Sequence, residues 1–116
     1  MNNKHVTSLK LSKKLEAIGV PQESEFYWHE REDIEGGYEL EYGKNHSARI
    51  SAYLSSELGE LLPEESVMFG KSDGKNLSTF NDIKELKVIH VIKEKHEAEA
   101  RGKMVEYLVA QGLITF

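Results

Sequence analysis

The chain has 116 residues, of which 39% are hydrophobic and 30% are charged, and its formal net charge is −5. This composition supports the core of one domain, and no apolar run approaches the roughly 20 residues that a membrane-spanning helix needs. Because the chain contains no cysteine, disulfides, thiolate nucleophiles and thiolate zinc sites are excluded. We therefore expect a single domain over residues 1–116 that is unprocessed and cytoplasmic.

Acidic residues are concentrated between Gln22 and Tyr42. This segment holds eight acidic residues against one basic residue, Arg31, so its local charge is −7 and the remainder of the chain carries +2. Phosphate groups are bound by Lys and Arg, which makes this segment a poor candidate for nucleic-acid binding. A protein partner that docks there is expected to be basic.

The first part of the chain predicts a helix followed by two strands. A stripe of apolar residues predicts a helix from Ser8 to Ile18, with Thr7 or Ser8 as its N-cap. The aromatic residues 26–28 are strong strand formers, and apolar and acidic residues alternate from Tyr38 to Tyr42. We expect these two strands to pair in antiparallel fashion.

A second helix is predicted from Ser51 to Leu62. Leu54, Leu58 and Leu61 recur at the spacing of one helical face. Pro63 follows and should end the helix, because proline supplies no amide hydrogen.

The last third of the chain predicts a second hairpin, a further strand and a third helix. Asp73-Gly74 suits a type I′ turn between strands over 67–72 and 75–80. The segment 86–92 is largely apolar on both alternating faces, so we expect an interior strand that is covered on both sides. Helical spacing returns from His96 to Gln111, and Gly112 stands where a left-handed C-terminal cap belongs.

This order of elements, α-β-β-α-β-β-β-α, lacks the regular alternation of a parallel sheet. It predicts an α+β domain in which an antiparallel or mixed sheet of about four to five strands packs against three helices.

The residues that could carry chemistry do not form a recognised catalytic set. The five histidines are dispersed along the sequence, and none of them forms an HExxH pair, so we predict neither a metal nor a cofactor. His29 beside Glu30 has the composition of an acid-base pair, but no nucleophile or oxyanion donor accompanies it. We interpret both residues as exposed charges on the hairpin.

The acidic aromatic hairpin is the predicted binding surface. Alternation places Trp28 on one face and Tyr27 with His29 on the other. Trp28 is expected to fill the core, which leaves Tyr27 and His29 to meet a partner. The candidate binding residues are Tyr27, Trp28, His29, Tyr38 and Tyr42.

Three blocks of sequence resemble a group of small uncharacterised proteins of bacteriophage and prophage genomes. These blocks are LKLSKKLEAIGVPQESEFYW at 9–28, SAYLSSELGELLP at 51–63 and EAEARGKMVEYLVAQGLI at 97–114. The similarity lies in their order and character and spans most of the chain, but not the hairpin at 67–80. The resemblance implies a phage accessory protein, in the bacterial host cell or associated with the virion, and supplies no active-site residue.

Three functions are therefore compared. The first is a non-enzymatic module that binds another protein through the acidic aromatic hairpin. The second is a small-molecule-binding or enzymatic domain with a site between sheet and helix, where His29 or His90 titrates. The third is association with nucleic acid through the basic residues of the last helix, which the many acidic residues disfavour. Neither membrane binding nor self-association is indicated.

Overall fold

The computed structural model describes residues 5–30, 37–43, 49–63, 66–82 and 87–116. This part of the chain forms three helices and two three-stranded antiparallel sheets, which confirms the α+β class. It has six strands, more than the four to five predicted. In chain order the elements are α1 (Leu9–Ala17), β1 (Phe26–Glu30), β2 (Tyr38–Tyr42), β3 (Ile50–Ala52), α2 (Ser55–Leu61), β4 (Val67–Ser72), β5 (Lys75–Asp82), β6 (Lys87–Glu94) and α3 (Glu97–Ala110).

The strands form two separate sheets. The first sheet has the order β2-β1-β3, and the second has the order β4-β5-β6. Asp73 and Gly74 have φ angles of 52° and 74°, which confirms the tight turn predicted between β4 and β5. Gly112 has a φ of 71°, and its position just after α3 confirms the predicted cap.

Helix α2 is shorter than predicted, because the start of the predicted helix is a strand. Residues 50–52 pair with β1 as β3, in the register Trp28↔Ile50 and Phe26↔Ala52. The helix begins only at Ser55, where the Glu57 carboxylate accepts a hydrogen bond from the Leu54 N–H at 2.8 Å. The predicted end before Pro63 is confirmed.

Strand β6 lies at an edge of the second sheet, so the prediction of an interior strand is wrong. Its outer face leaves Val88 and Val91 55% and 42% exposed. The pairing with β5 is irregular, because His90 pairs with Phe80 whereas Val88 pairs with Asn81, and Ile89 is the extra residue. The start of the predicted strand, at residue 86, lies outside the described residues.

The main core lies where the three helices meet. It is built from Leu11 and Leu15 of α1, Leu58 of α2, and Met104 and Leu108 of α3. A smaller cluster around Trp28 joins the first sheet to the residues before α1. Both clusters are made of buried apolar side chains, whose removal from water stabilises the fold.

Helices α1 and α3 approach each other closely at Gly102. A Cβ atom at this position would lie 2.7 Å from Leu11 Cδ2 and 3.1 Å from Thr7 Cγ2. The Glu99 carboxylate on the same helix accepts hydrogen bonds from the backbone N–H and the hydroxyl of Ser8, which caps α1. A side chain at position 102 would therefore force Leu11 to shift. Ser8 is confirmed as the N-cap of α1.

Candidate functional site

The predicted binding residues lie on both faces of the first sheet. The register Phe26↔Tyr42 and Glu30↔Tyr38 places the side chains of Phe26, Trp28, Tyr38 and Tyr42 on one face. Tyr27 and His29 alternate with them and lie on the other face. The structure thus brings together three of the five predicted residues and separates Tyr27 and His29 from them.

One face of the hairpin carries partly exposed aromatic rings next to the buried ring of Trp28. Tyr42 is 68% exposed and packs edge-on against Phe26 with ring centres 5.3 Å apart. Tyr38 is half-buried, with the Lys13 ammonium 4.7 Å from its ring centre. Trp28 is 8% exposed and its Nε1–H donates to the Thr7 carbonyl at 3.1 Å. We call this surface the aromatic face; its members are Phe26, Tyr38, Leu40 and Tyr42, with Trp28 beneath them.

Tyr27 is buried, so the expectation that it meets a partner is wrong. Its side chain is 2% exposed, and its hydroxyl oxygen accepts a hydrogen bond from the Ser24 N–H at 3.3 Å. The reason is that the second face of the sheet is also covered at this position. His29 is half-buried, and its Nδ1 is enclosed without a hydrogen-bond partner among the described residues.

Acidic side chains lie on both faces of the hairpin, because Glu30 shares the face of Tyr38 whereas Glu41 alternates with Leu40 and Tyr42. Glu25 and Glu30 are exposed on either side of the central residues of β1. Glu41 on β2 is paired with Arg49, with 2.9 Å between Oε2 and Nη2. The predicted acids Glu32, Asp33 and Glu35 lie outside the described residues.

A cleft that the sequence analysis did not identify lies between the second sheet and helices α2 and α3. One cavity, of about 210 Å³, is lined by apolar side chains that include Leu62 and Phe69, and by Ser78 and Arg101. A second cavity, of about 320 Å³, is lined mainly by polar residues and lies beside the first along β5, where Asn76 lines one and Ser78 the other. We call the first the inner cavity and the second the outer cavity. The principal residues of the outer cavity are Ser55, Lys71, Asn76, Lys95, His96 and Glu97.

Arg101 occupies the centre of the cleft. Its guanidinium carbon lies 4.5 Å from the centre of the Phe69 ring, and Nη1 donates to the Ser55 carbonyl at 2.9 Å. Nη2 lies 3.5 Å from a carboxylate oxygen of Glu97. A Cβ atom at Gly59 would lie 3.0 Å from Nη1, so glycine at this position leaves room for the guanidinium.

Three buried polar side-chain atoms of the cleft lack a hydrogen-bond partner among the described residues. Ser78 Oγ, Asn76 Oδ1 and Ser55 Oγ form no hydrogen bond with any described residue. Ser78 is fully buried and Asn76 is 8% exposed. A buried polar atom without a partner costs about 1–3 kcal/mol. Five such side-chain atoms occur in the described part of the chain, and three of them line this cleft.

The sequence of β5 did not predict this cleft. Asn76 and Ser78 share one face of β5 with Phe80, and Leu77 shares the other face with Thr79. Alternation normally places the polar residues towards solvent. Here the face that carries Asn76 and Ser78 is turned towards the helices. Only the tertiary structure shows this orientation.

His90 lies in a separate, open depression of about 540 Å³ between β6 and α3. Its ring stacks on Tyr107, with centres 3.9 Å apart and planes 2° apart. Glu106 and Lys103 also line the depression. Lys103 is hydrogen-bonded to Glu94, and this bond raises the pKa of the Lys103 ammonium.

The two basic residues of α3 are both engaged within the protein. Arg101 contacts Ser55, Phe69 and Glu97, and Lys103 contacts Glu94. These contacts pair both charged groups within the protein and give no support to nucleic-acid binding through this helix.

Comparisons with protein-family models, with curated proteins and with solved structures find no match to the chain. None of the helices in the described residues has both the length and the apolar character needed to cross a membrane. Within the same residues, no cluster of three or more His, Asp or Glu side chains is arranged to hold a metal ion.

Proposed function

We propose that the protein is a small, non-enzymatic binding module of the phage or prophage accessory type, and that it docks a basic protein on the aromatic face. The observation that carries this proposal is the exposure of Tyr42, which is 68% accessible although it packs against Phe26. Exposed tyrosine supplies a large contact area with few rotatable bonds, which favours its use at protein interfaces.

The position of β2 gives the partner a second means of attachment. This strand is the edge of the first sheet in the described part of the chain. The outer edge of such a strand offers backbone N–H and C=O groups to an extended segment of another protein. Side chains from that segment would then lie beside Tyr38 and Tyr42.

Charge determines the chemistry of the partner. Glu30 is exposed on the same face of the sheet as Tyr38, in a segment whose local charge is −7. Basic residues of a partner would be attracted to this surface. Because exposed charges are screened by salt, the complex should weaken as ionic strength rises.

The proposal is tested by quantitative affinity capture from host cells that carry the phage or prophage. Variant Y38A/Y42A removes the two accessible rings and should weaken capture of the specific partner roughly 30-fold, as loss of about 2 kcal/mol at an interface implies. A matched control is M68A/V91A, which removes two exposed apolar side chains from the second sheet. Equal capture by the wild type and Y38A/Y42A would contradict the proposal.

A further inference from the structure

The cleft between the second sheet and helices α2 and α3 contains polar groups that stability does not explain. Ser78 and Asn76 are more than nine-tenths buried, line the two cavities and have an unpartnered oxygen with respect to the described residues. The Asn76 amide nitrogen donates to the Lys95 carbonyl at 2.9 Å, which directs the oxygen acceptor elsewhere. A ligand with hydroxyl or N–H donors would satisfy this oxygen.

The outer cavity also carries uncompensated positive charge. Lys71 and Lys95 line it, and no ion pair joins either lysine to an acidic side chain in the described part of the chain. The neighbouring carboxylates have other partners. These pairs are Glu94 with Lys103, Glu97 with Arg101, and Glu99 with Ser8. Two cationic groups are thus left facing a cavity in a protein whose net charge is −5.

Helix α3 begins at this cavity. Its N-cap residue, His96, lines the cavity and makes no side-chain capping hydrogen bond. The first N–H groups of a helix and its dipole favour an anion at this end. The helix terminus therefore adds to the attraction for an anion that the two lysines provide, whereas the Asn76 oxygen can accept a hydrogen bond from the rest of the ligand.

We propose that this cleft binds a phosphorylated small molecule, either a sugar phosphate or a nucleoside monophosphate. The phosphate group lies between Lys71 and Lys95 at the start of α3. The hydroxyl or amine donors of the molecule reach Asn76, and its organic part enters the inner cavity beside Phe69 and Ser78. The inner cavity, of about 210 Å³, accepts a sugar ring or a base.

This site is independent of the proposed protein-binding surface, because it lies on the second sheet and on different helices. Loss of partner capture by variant Y38A/Y42A would therefore give no information about ligand binding in the cleft. Absence of ligand binding in the cleft would likewise not count against partner binding on the aromatic face.

The test is titration of the labelled protein with glucose 6-phosphate, AMP and inorganic phosphate, followed by NMR chemical shifts of backbone amides. Variant K71A/K95A should weaken binding of the preferred ester at least tenfold. The matched control K75A/K93A removes two exposed lysines from the opposite face of the same sheet and should change binding less than twofold. Equal losses in the two variants would overturn the proposal, because they would show a general effect of charge.

A second variant separates recognition of the organic part from attraction of the phosphate. S78A removes the buried hydroxyl and should weaken binding of the ester while leaving inorganic phosphate unaffected. Its melting temperature establishes that it is folded. The proposal is overturned if neither ester shifts amides of the cleft at millimolar concentration, or if inorganic phosphate binds as tightly as both esters.

Discussion

Both sheets of this protein bury a serine, Ser51 in the first sheet and Ser78 in the second, but they differ in the side chains around it. The first sheet buries Trp28 and Ala52, at 8% and 0% exposure, in an apolar cluster. The second sheet buries Ser78 and leaves Met68 64% exposed on its outer face. The hydrophobic effect accounts for the first arrangement and opposes the second. Val67, Phe80 and Ile92 of the second sheet pack against the main core, so its buried polarity, within the described residues, is confined to Ser78 and Asn76. The proposed ligand of the cleft would account for these two residues.

The largest expected loss of stability comes from a substitution in the first sheet. W28A should lower the free energy of unfolding by about 3–5 kcal/mol, because it leaves a cavity in the core. The Thr7 carbonyl would also lose the donor that lies 3.1 Å away. Urea denaturation monitored by circular dichroism measures the loss.

The control for this prediction lies on the same face of the same sheet. Tyr42 is 68% exposed, so Y42A should cost less than about 1 kcal/mol. If W28A and Y42A had similar effects, the aromatic cluster would not hold the first sheet in place, and the contrast between the sheets would fail.

An intermediate effect is expected where the first sheet meets helix α2. The Glu57 carboxylate accepts hydrogen bonds from the Leu54 N–H at 2.8 Å and from the Glu25 N–H at 3.0 Å. E57A removes both acceptors and should cost about 1 kcal/mol. E57Q keeps an oxygen acceptor and should cost less than E57A by urea denaturation at pH 7.

The stability of the protein should depend on the protonation of Glu57. Burial is the largest cause that raises the pKa of Glu57 above its usual value of 4.5. The folded state therefore binds the proton more tightly than the unfolded chain, and this contribution to stability is lost as pH rises through the folded-state pKa. E57Q lacks the contribution, so the wild type should lose stability relative to E57Q between about pH 4.5 and neutrality. An unchanged difference across this range would show that burial does not affect the carboxyl group.

The smallest expected effect is on the second sheet. The Ser78 hydroxyl is buried without a partner among the described residues, so its removal in S78A breaks no hydrogen bond that the structure shows. S78A should change the free energy of unfolding by less than about 0.5 kcal/mol or increase it. A loss above about 1 kcal/mol would show that the hydroxyl is satisfied in the free protein, and the argument for a ligand there would weaken.

Local sequence chemistry was sufficient where an element is specified by its own residues. Asp73-Gly74 predicted a turn because both residues tolerate positive φ. Ser8 was one of two proposed caps, and the structure selects it through its hydrogen bond from the Leu11 N–H. These contacts involve neighbours in sequence, so no knowledge of the tertiary fold was needed.

Sequence reasoning failed where the tertiary partner decides. Residues 50–52 were placed in a helix, but pairing with β1 makes them a strand. The apolar segment that contains Val91 was expected inside the sheet, whereas it forms an edge. The cleft around Ser78 was missed for the same reason, because alternation along β5 does not reveal which face meets the helices.

The extra residue in β6 has a consequence for the behaviour of the protein at high concentration. Strands that stack into fibrils must be flat and continuous along their whole edge. Ile89 interrupts the regular spacing of β6, and a bulge of this kind bends a strand and increases its local twist. A growing fibril thus finds no straight template here, although Val88 and Val91 are open to solvent.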